Sequence, residues 1–234
     1  MKLFLMSKLF AVSGTKGSGK DTATSMLQYC LSVPKVLRNY TCYKWLHRFI
    51  RPKYKKLAFA DPLKKMLSVL LNEPYESFNN RAFKECYMVD LENLTIHYGI
   101  ECMSDSKFNR MVKTLDPELS KSVLTIRQLM QYFGTEISQR FFGRRVWINS
   151  TLKHCTGPTI ISDLRFKEEY NAIKERNGIT IFIYRPGYEF GQHASEKEME
   201  ELYNNSQYDH VIINNGSLQQ LFNSVKDILC RVKI

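Results

Sequence analysis

Apolar positions along the chain follow two periods, one of helices and one of buried strands. Residues 8–12 form a short apolar run that reads as a buried strand. From Lys20, Ala23, Met26, Leu27 and Cys30 recur at helical spacing. Leu57-Ala-Phe-Ala60 reads as a second strand. Asp61 should then cap a helix with Pro62 at its first position and Leu63, Met66, Leu67 and Leu70 as its stripe. Thr125 and Gln128 have the spacing of a capping box and predict a helix to about Ile137. Its core side would be Ile126, Leu129, Met130, Phe133 and Ile137. A shorter helix is predicted over 145–153. In the last third, strands predicted at 158–162, 179–184 and 211–213 alternate with a helix at 167–176 and a long amphipathic helix from Ser217. About five strands alternating with helices predict an α/β fold with a parallel sheet covered on both faces. Such sheets bind ligands at the carboxyl ends of their strands.

Residues 72–120 break the pattern. They are polar, locally acidic and without a clean period, which reads as an irregular substrate-side insertion within a single domain spanning 1–234. Ser195 and Glu198 also have capping-box spacing. No stretch reaches 18 uninterrupted apolar residues, so no membrane-spanning helix is expected. The six cysteines, none closer than 12 positions to the next, form no zinc-ribbon pattern and read as reduced thiols of a cytoplasmic protein.

Charge adds one local feature. The chain has 34 Lys and Arg against 23 Asp and Glu, a formal +11. Eight of those bases lie at 35–56, and no acid occurs between Thr22 and Ala60. Outside that window the excess falls to +3, so the basicity belongs to one insertion or lid-like segment. The positive rim suits gathering small polyanions such as nucleotides, and nucleic acid is not the expected partner.

The strongest chemical signal is Gly14-Thr-Lys16-Gly17-Ser18-Gly19-Lys20, placed between a strand and a helix. Glycines let the backbone curl so that its N–H groups meet phosphate oxygens, and the helix N-terminus favours the negative charge. Lys20 supplies a mobile charge for the phosphates. Asp21 stands where Ser or Thr usually holds magnesium, with Thr22 next, the variant of small-molecule kinases of the adenylate kinase type. Asp21 could bind metal or orient the acceptor, or merely favour the helix start. Asp163 ends the apolar run Thr159-Ile-Ile-Ser and could hold Mg²⁺, directly or through water. Arg165 could clamp a phosphate, and Glu169 follows in the next helix. On the helix from Thr125, Arg127, Gln131, Gly134 and Thr135 share a second face flanked by Gln128. Gly134 suggests a close approach to the backbone, since a mid-helix Gly costs about 1 kcal/mol relative to Ala. Trp147 could stack on a base or sit in the core, and Arg140, Arg144, Arg145 and His193 keep open roles.

Taken together, Gly-Ser-Gly-Lys20-Asp21-Thr22, Phe59-Ala-Asp-Pro-Leu63-Lys64, Arg127-Gln-Leu-Met-Gln131-x-x-Gly134-Thr135-Glu136, Val146-Trp147, Ser162-Asp163-Leu-Arg165-Phe166, His193-x-Ser195-Glu196 and Asn214-x-Gly216 resemble the deoxynucleoside monophosphate kinases of tailed bacteriophages. The resemblance implies a P-loop kinase fold and transfer of the ATP γ-phosphoryl group, with Mg²⁺, to a deoxynucleoside monophosphate in the host cytoplasm. It implies Lys20, Asp21 and Arg165 as catalytic groups and the loop from Gly14 through Thr22 as the ATP site. It implies Arg127, Gln128, Gln131, Gly134, Thr135, Trp147, Asp163, Arg165 and Glu169 around the acceptor, and Asp21 and Asp163 for the metal. Another small phosphate acceptor, of the phosphomevalonate or dephospho-coenzyme A type, and a nucleic-acid-binding P-loop ATPase stand as alternatives. A homodimer is compatible with any of them.

Overall fold

The computed structural model describes residues 9–99, 101, 103–114, 116–191 and 194–232. It contains two compact units, Met1–Phe59 with Thr151–Ile234 and Ala60–Ser150. The first is built on a five-stranded parallel sheet. Its strands are β1 (Leu9–Gly14), β2 (Lys55–Leu57), β6 (Thr159–Ile161), β7 (Ile179–Tyr184) and β8 (His210–Ile213), in the order β2-β6-β1-β7-β8. This confirms the expected α/β class. β1 is buried at every position because it is central and covered on both faces. Strand order reverses around β1, between β6 and β7, so the chain leaving β1 enters the crevice where such sheets place ligands.

Helix α1 (Lys20–Ser32) buries Ala23, Met26, Leu27 and Cys30, as its period predicts. It packs with Leu221, Phe222, Val225, Ile228 and Leu229 of α11 (Leu218–Arg231) on one face of the sheet. Ser217 caps α11 through a capping box with Gln220. Helix α9 (Lys167–Glu175) follows β6, and α10 (Ala194–Asn204) precedes β8. Ser195 is not the cap expected of it: it lies buried within the first turn of α10. Its expected partner Glu198 instead accepts the Lys167 amide at 2.8 Å. β2 also lies earlier than expected. Lys55, Lys56 and Leu57 pair with Thr159, Ile160 and Ile161, while Ala58 and Phe59 are buried just past the strand. Lysines suit a sheet edge because they discourage pairing with another chain.

The second unit has its own core. Residues 72–120, expected to be irregular, build most of it. Helices α4 (Arg81–Cys86) and α5 (Asp105–Thr114) flank an antiparallel sheet of β3 (Tyr87–Asp90), β4 (Thr95–Tyr98) and β5 (Val123–Thr125), in the order β4-β3-β5. Phe78, Phe83, Val89, Phe108 and Leu119 pack with Leu67, Leu124, Ile126 and Leu129. Apart from α5, which buries Phe108, Met111 and Val112, the elements here are short and contribute one or two core residues each, which leaves no period across the region. Helix α3 (Asp61–Leu70) starts after Ala60, not after an Asp61 cap. Asp61 instead accepts the Tyr75 hydroxyl at 2.7 Å and pairs with Lys64 at 3.5 Å. Of the expected stripe, Leu63 and Leu67 are buried, whereas Met66 and Leu70 are exposed, because the core meets only the i, i+4 row.

The helix predicted to run from Thr125 to Ile137 is three segments: α6 (Ile126–Gln131), a π-helical stretch Tyr132–Ile137, and α7 (Ser138–Phe142). Helix α8 (Val146–Lys153) follows and crosses the boundary between the units.

Candidate active site

The loop between β1 and α1 is closed by its own backbone, Ser18 N donating to Thr15 O at 3.2 Å. Gly17 and Gly19 hold left-handed backbone at φ 85° and 87°. At either, a Cβ would also be blocked: the Tyr188 ring covers Gly17, and Asn214 Nδ2 lies 2.5 Å from the Cβ position of Gly19. Three contacts reach the loop from the carboxyl ends of β7 and β8. Thr15 Oγ1 donates to Tyr188 O (3.0 Å), Arg185 Nη1 to Gly17 O (3.3 Å), and Asn214 Nδ2 to Ser18 O (2.8 Å). The Arg185 guanidinium lies 4.7 Å from the Tyr188 ring centroid.

Within this frame Ser18 Oγ is buried and has no hydrogen-bond partner among the described residues. A buried hydroxyl left unpaired costs about 1–3 kcal/mol. Lys20 Nζ lies 3.3 Å from Asp21 Oδ1, with the Lys20 side chain 12% exposed and that of Asp21 82% exposed. So exposed a carboxylate holds its partner weakly. An incoming phosphate can therefore take Lys20 without a large loss.

Beside β1, the turn after β6 is tied down from three sides. Ser13 Oγ donates to Leu164 O at 2.7 Å, and Tyr208 OH donates to Ser13 Oγ at 3.1 Å. Asp163 Oδ1 accepts the Phe59 amide at 2.7 Å. Glu169 Oε2 accepts the amides of Arg165 (2.7 Å) and Phe166 (3.1 Å). Burial, and then the neighbouring Asp163 carboxylate, push the Glu169 carboxyl above its ordinary range against the pull of those two amides. The Arg165 side chain is 46% exposed; Nη1 lies 4.0 Å from Glu196 Oε1, and Glu196 Oε2 is buried without a hydrogen-bond partner among the described residues.

In the second unit, Arg127 Nη2 donates to Glu85 Oε1 at 3.0 Å with half its side chain exposed. Gln131 and Thr135 are half-buried. Gln128 is buried, and its amide is committed to the fold. Oε1 accepts the Thr125 amide (3.0 Å), while Nε2 donates to Met103 O (3.1 Å) and Asp105 Oδ1 (2.6 Å). The close approach anticipated at Gly134 comes from Leu63, whose Cδ2 lies 2.7 Å from the Cβ position. Gly134 O accepts the Trp147 indole N–H (2.8 Å) and the Ser138 hydroxyl (2.7 Å), so the indole braces the π-helical stretch. π-Helical turns recur at functional sites because they displace side chains from the regular helical register. Arg140, Arg144 and Arg145 are exposed, and His193 lies outside the described residues.

A family model described as "Deoxynucleotide monophosphate kinase" matches residues 75–225, more than half of the chain. The chain belongs to this family. The Escherichia phage T5 protein named deoxynucleoside-5'-monophosphate kinase is 25% identical over 75% of both chains. The Enterobacteria phage T4 deoxynucleotide monophosphate kinase is 24% identical over 95% of this chain and 98% of its own. Among solved structures, a dephospho-CoA kinase from Campylobacter jejuni covers 97% of this chain and 98% of its own at 12% identity and a TM-score of 0.38, a likeness too slight to carry an argument.

The kinase transfers a phosphoryl group to deoxynucleoside monophosphates, with nucleotides as its substrates. Its first unit brings Lys20, Asp21 and the phosphate loop together with the Asp163–Arg165 turn on neighbouring strands β1 and β6. The residues not anticipated are those that wrap the loop: Arg185, Tyr188 and, as a loop contact, Asn214. Their signal was present, since Arg185 and Asn214 directly follow strands at the ligand-binding edge of the sheet. Among the described residues no helix is long and apolar enough to cross a membrane. Five cysteines there are free, and Cys102 lies outside them.

Proposed function

We propose that the kinase uses ATP with Mg²⁺ as donor, and that Lys20, Asp21 and Arg165 act on the reacting phosphates. The attacking 5′-phosphate oxygen of the deoxynucleotide forms a bond to the γ-phosphorus as the bond to the β–γ bridging oxygen breaks, giving dNDP and ADP. Catalysis of this kind is positioning and charge neutralisation. The observation that carries the reading is the buried, unpaired Ser18 hydroxyl in a loop held open by two left-handed glycines. An oxyanion or a metal-bound phosphate would satisfy it. Ser18, Gly17 and Gly19 would line the β-phosphate, with Gly14, Lys16 and Thr22 completing the loop. Lys20 would move from Asp21 to the transferred group. Asp163 and Asp21 would hold Mg²⁺ directly or through water, and the ion, when bound, neutralises phosphate charge. Magnesium usually takes one or two carboxylates plus phosphates and water, so these two carboxylates fit it without a preformed cage.

On the acceptor side we assign Arg165 to the deoxynucleotide phosphate. Arg127, Gln131 and Thr135 are assigned to the nucleotide on the second unit. Glu169, Gln128, Gly134 and Trp147 support those residues, because their polar atoms already bond backbone and side-chain partners within the chain. The second unit, including 72–120, is the substrate-side region, and the enzyme works in the host cytoplasm to supply DNA precursors. Product analysis with ATP, Mg²⁺ and a panel of dNMPs, NMPs and non-nucleotide phosphates tests this. Formation of dNDP that disappears with EDTA and returns with Mg²⁺ is the expected result. Metal-independent transfer would remove the metal assignment.

A further inference from the structure

The segment at 35–56 carries a feature that small nucleotides do not require. Helix α2 (Tyr40–Leu46) is fixed by one face. Tyr40 and Tyr43 pack on Phe222 at centroid distances of 6.0 and 5.5 Å, and Tyr43 meets Tyr29 edge-on at 5.4 Å. Asn39 caps the helix by accepting the Cys42 amide at 2.9 Å. Helical backbone bonds continue past the helix, from His47 to Tyr43 O and from Ile50 to Leu46 O. This anchoring turns Trp45 and Phe49 outward, 70% and 83% exposed. They stand four residues apart in sequence, Trp45 in the last turn of α2 and Phe49 in the turn that follows, where its amide donates to Leu46 O at 2.9 Å.

Cations neighbour those rings along the chain. Lys44 and Arg48 flank them, and Arg51, Lys53, Lys55 and Lys56 continue along the chain to the sheet edge, all exposed. Among the described residues none of these six is in an ion pair. Elsewhere surface bases meet acids, as in Lys167–Glu201 at 3.0 Å and Lys174–Asp209 at 2.7 Å. Edge protection accounts for Lys55 and Lys56 on β2. It does not account for two large exposed aromatic rings beside unpaired cations.

We propose that this surface docks single-stranded nucleic acid, its bases stacking on Trp45 and Phe49 and its phosphates following the line from Lys44 to Lys56. Exposed aromatic rings alternating with cations suit a flexible polyanion with free π-faces. Paired bases in a duplex keep those faces covered. An anionic membrane would need a broad apolar face to bury, and the apolar side of α2 is already spent on the core. The exposure of both rings revises the expectation that the basic segment serves small nucleotides alone.

The test is fluorescence anisotropy of a labelled oligothymidylate of about 15 nucleotides, a length within the usual single-strand site range. Binding should weaken with salt, with a slope of log K against log salt of roughly −2 to −4, from three to five phosphates at about 0.7 each. The double variant Trp45→Ala/Phe49→Ala should bind at least about tenfold more weakly. Its turnover of dNMP should be unchanged, which also shows that it is folded. Saturating ATP should not displace the strand. Failure to bind at low salt overturns the proposal, as does unaltered binding by the double variant. Equal affinity for a duplex of the same sequence, displacement by ATP, or attachment to phosphatidylserine-containing vesicles in preference to the strand does so too.

Discussion

Glu169→Ala removes the one oxygen that receives both the Arg165 and Phe166 amides, at 2.7 and 3.1 Å. An amide left without an acceptor in a buried setting costs about 1–3 kcal/mol. Two such losses are offset in part, because the buried carboxylate is itself unfavourable beside Asp163. A net destabilisation of about 2–3 kcal/mol follows, or roughly 5–10 °C in Tm for a chain of this size. Glu169→Gln keeps an acceptor oxygen and drops the charge, so it should lie close to wild type. The two variants should also separate with pH. Below about pH 4.5 Glu169 is protonated in both the folded and the unfolded chain, and its contribution is fully present. As pH rises the unfolded chain ionises first, while burial and Asp163 keep the folded carboxyl protonated. Stability is therefore lost with rising pH until the folded carboxyl ionises too. Urea melts at about pH 5 and about pH 8 should show Glu169→Gln gaining on wild type at the higher pH. Because the Arg165 backbone is released, Glu169→Ala should also lose kcat. An unshifted melt for Glu169→Ala, or a Gln variant as weak as the Ala variant, would refute the reasoning.

Lys20→Ala and Arg165→Ala should each lose about 3–4 kcal/mol of transition-state stabilisation, a fall of some hundreds-fold in kcat/KM, without a change in thermal stability. A coupled assay of ADP release measures this, and near-normal turnover by either variant contradicts its role. Gln128→Ala should cost about 2–4 kcal/mol of stability through its three lost partners yet leave KM for dNMP within a few-fold. A KM defect in a fully stable protein would make Gln128 a substrate contact instead. Trp147→Phe keeps the ring but loses the bonds to Gly134 O and Ser138 Oγ, and a loss of about 1–2 kcal/mol in denaturant melts is expected. Gly17→Ala should abolish ATP binding by calorimetry, since the backbone is left-handed there and Tyr188 occupies the Cβ position.

Legibility in the sequence followed the length over which one physical rule held. The parallel sheet was readable because β1, β6 and β7 are buried on both faces and α1 and α11 keep a single apolar stripe. The phosphate loop was readable because its glycines are demanded by backbone geometry and its position by the strand order. The second unit was not, since β3, β4 and β5 are three or four residues long and their core partners Phe78, Phe108 and Leu119 lie on three separate segments, the 3₁₀ turns Tyr75–Asn79 and Pro117–Lys121 and helix α5. The π-helical stretch was hidden for another reason. A regular 100° step assigns Gly134 and Thr135 to one face, whereas an i→i+5 turn shifts the register by a residue.

The same contrast separates residue types at the site. Gln128 and Glu169 each look in sequence like ligands for a nucleotide, being polar residues near a motif. Yet both sit at the third position of a helix, where a long side chain folds back to amides at the helix start. Glu169 is spent within four residues, and Gln128 joins the local Thr125 amide to Met103 and Asp105 more than twenty residues away. Ser18, by contrast, is buried, and its hydroxyl has no hydrogen-bond partner among the described residues. Arg165 has its backbone held and its side chain half in solvent. A polar group whose local partners are missing is the one left available to a substrate. Ser18 meets that criterion outright, and Lys20 and Arg165, held only by ion pairs at 3.3 and 4.0 Å, come next, so the loss of these three should appear in catalysis rather than in folding.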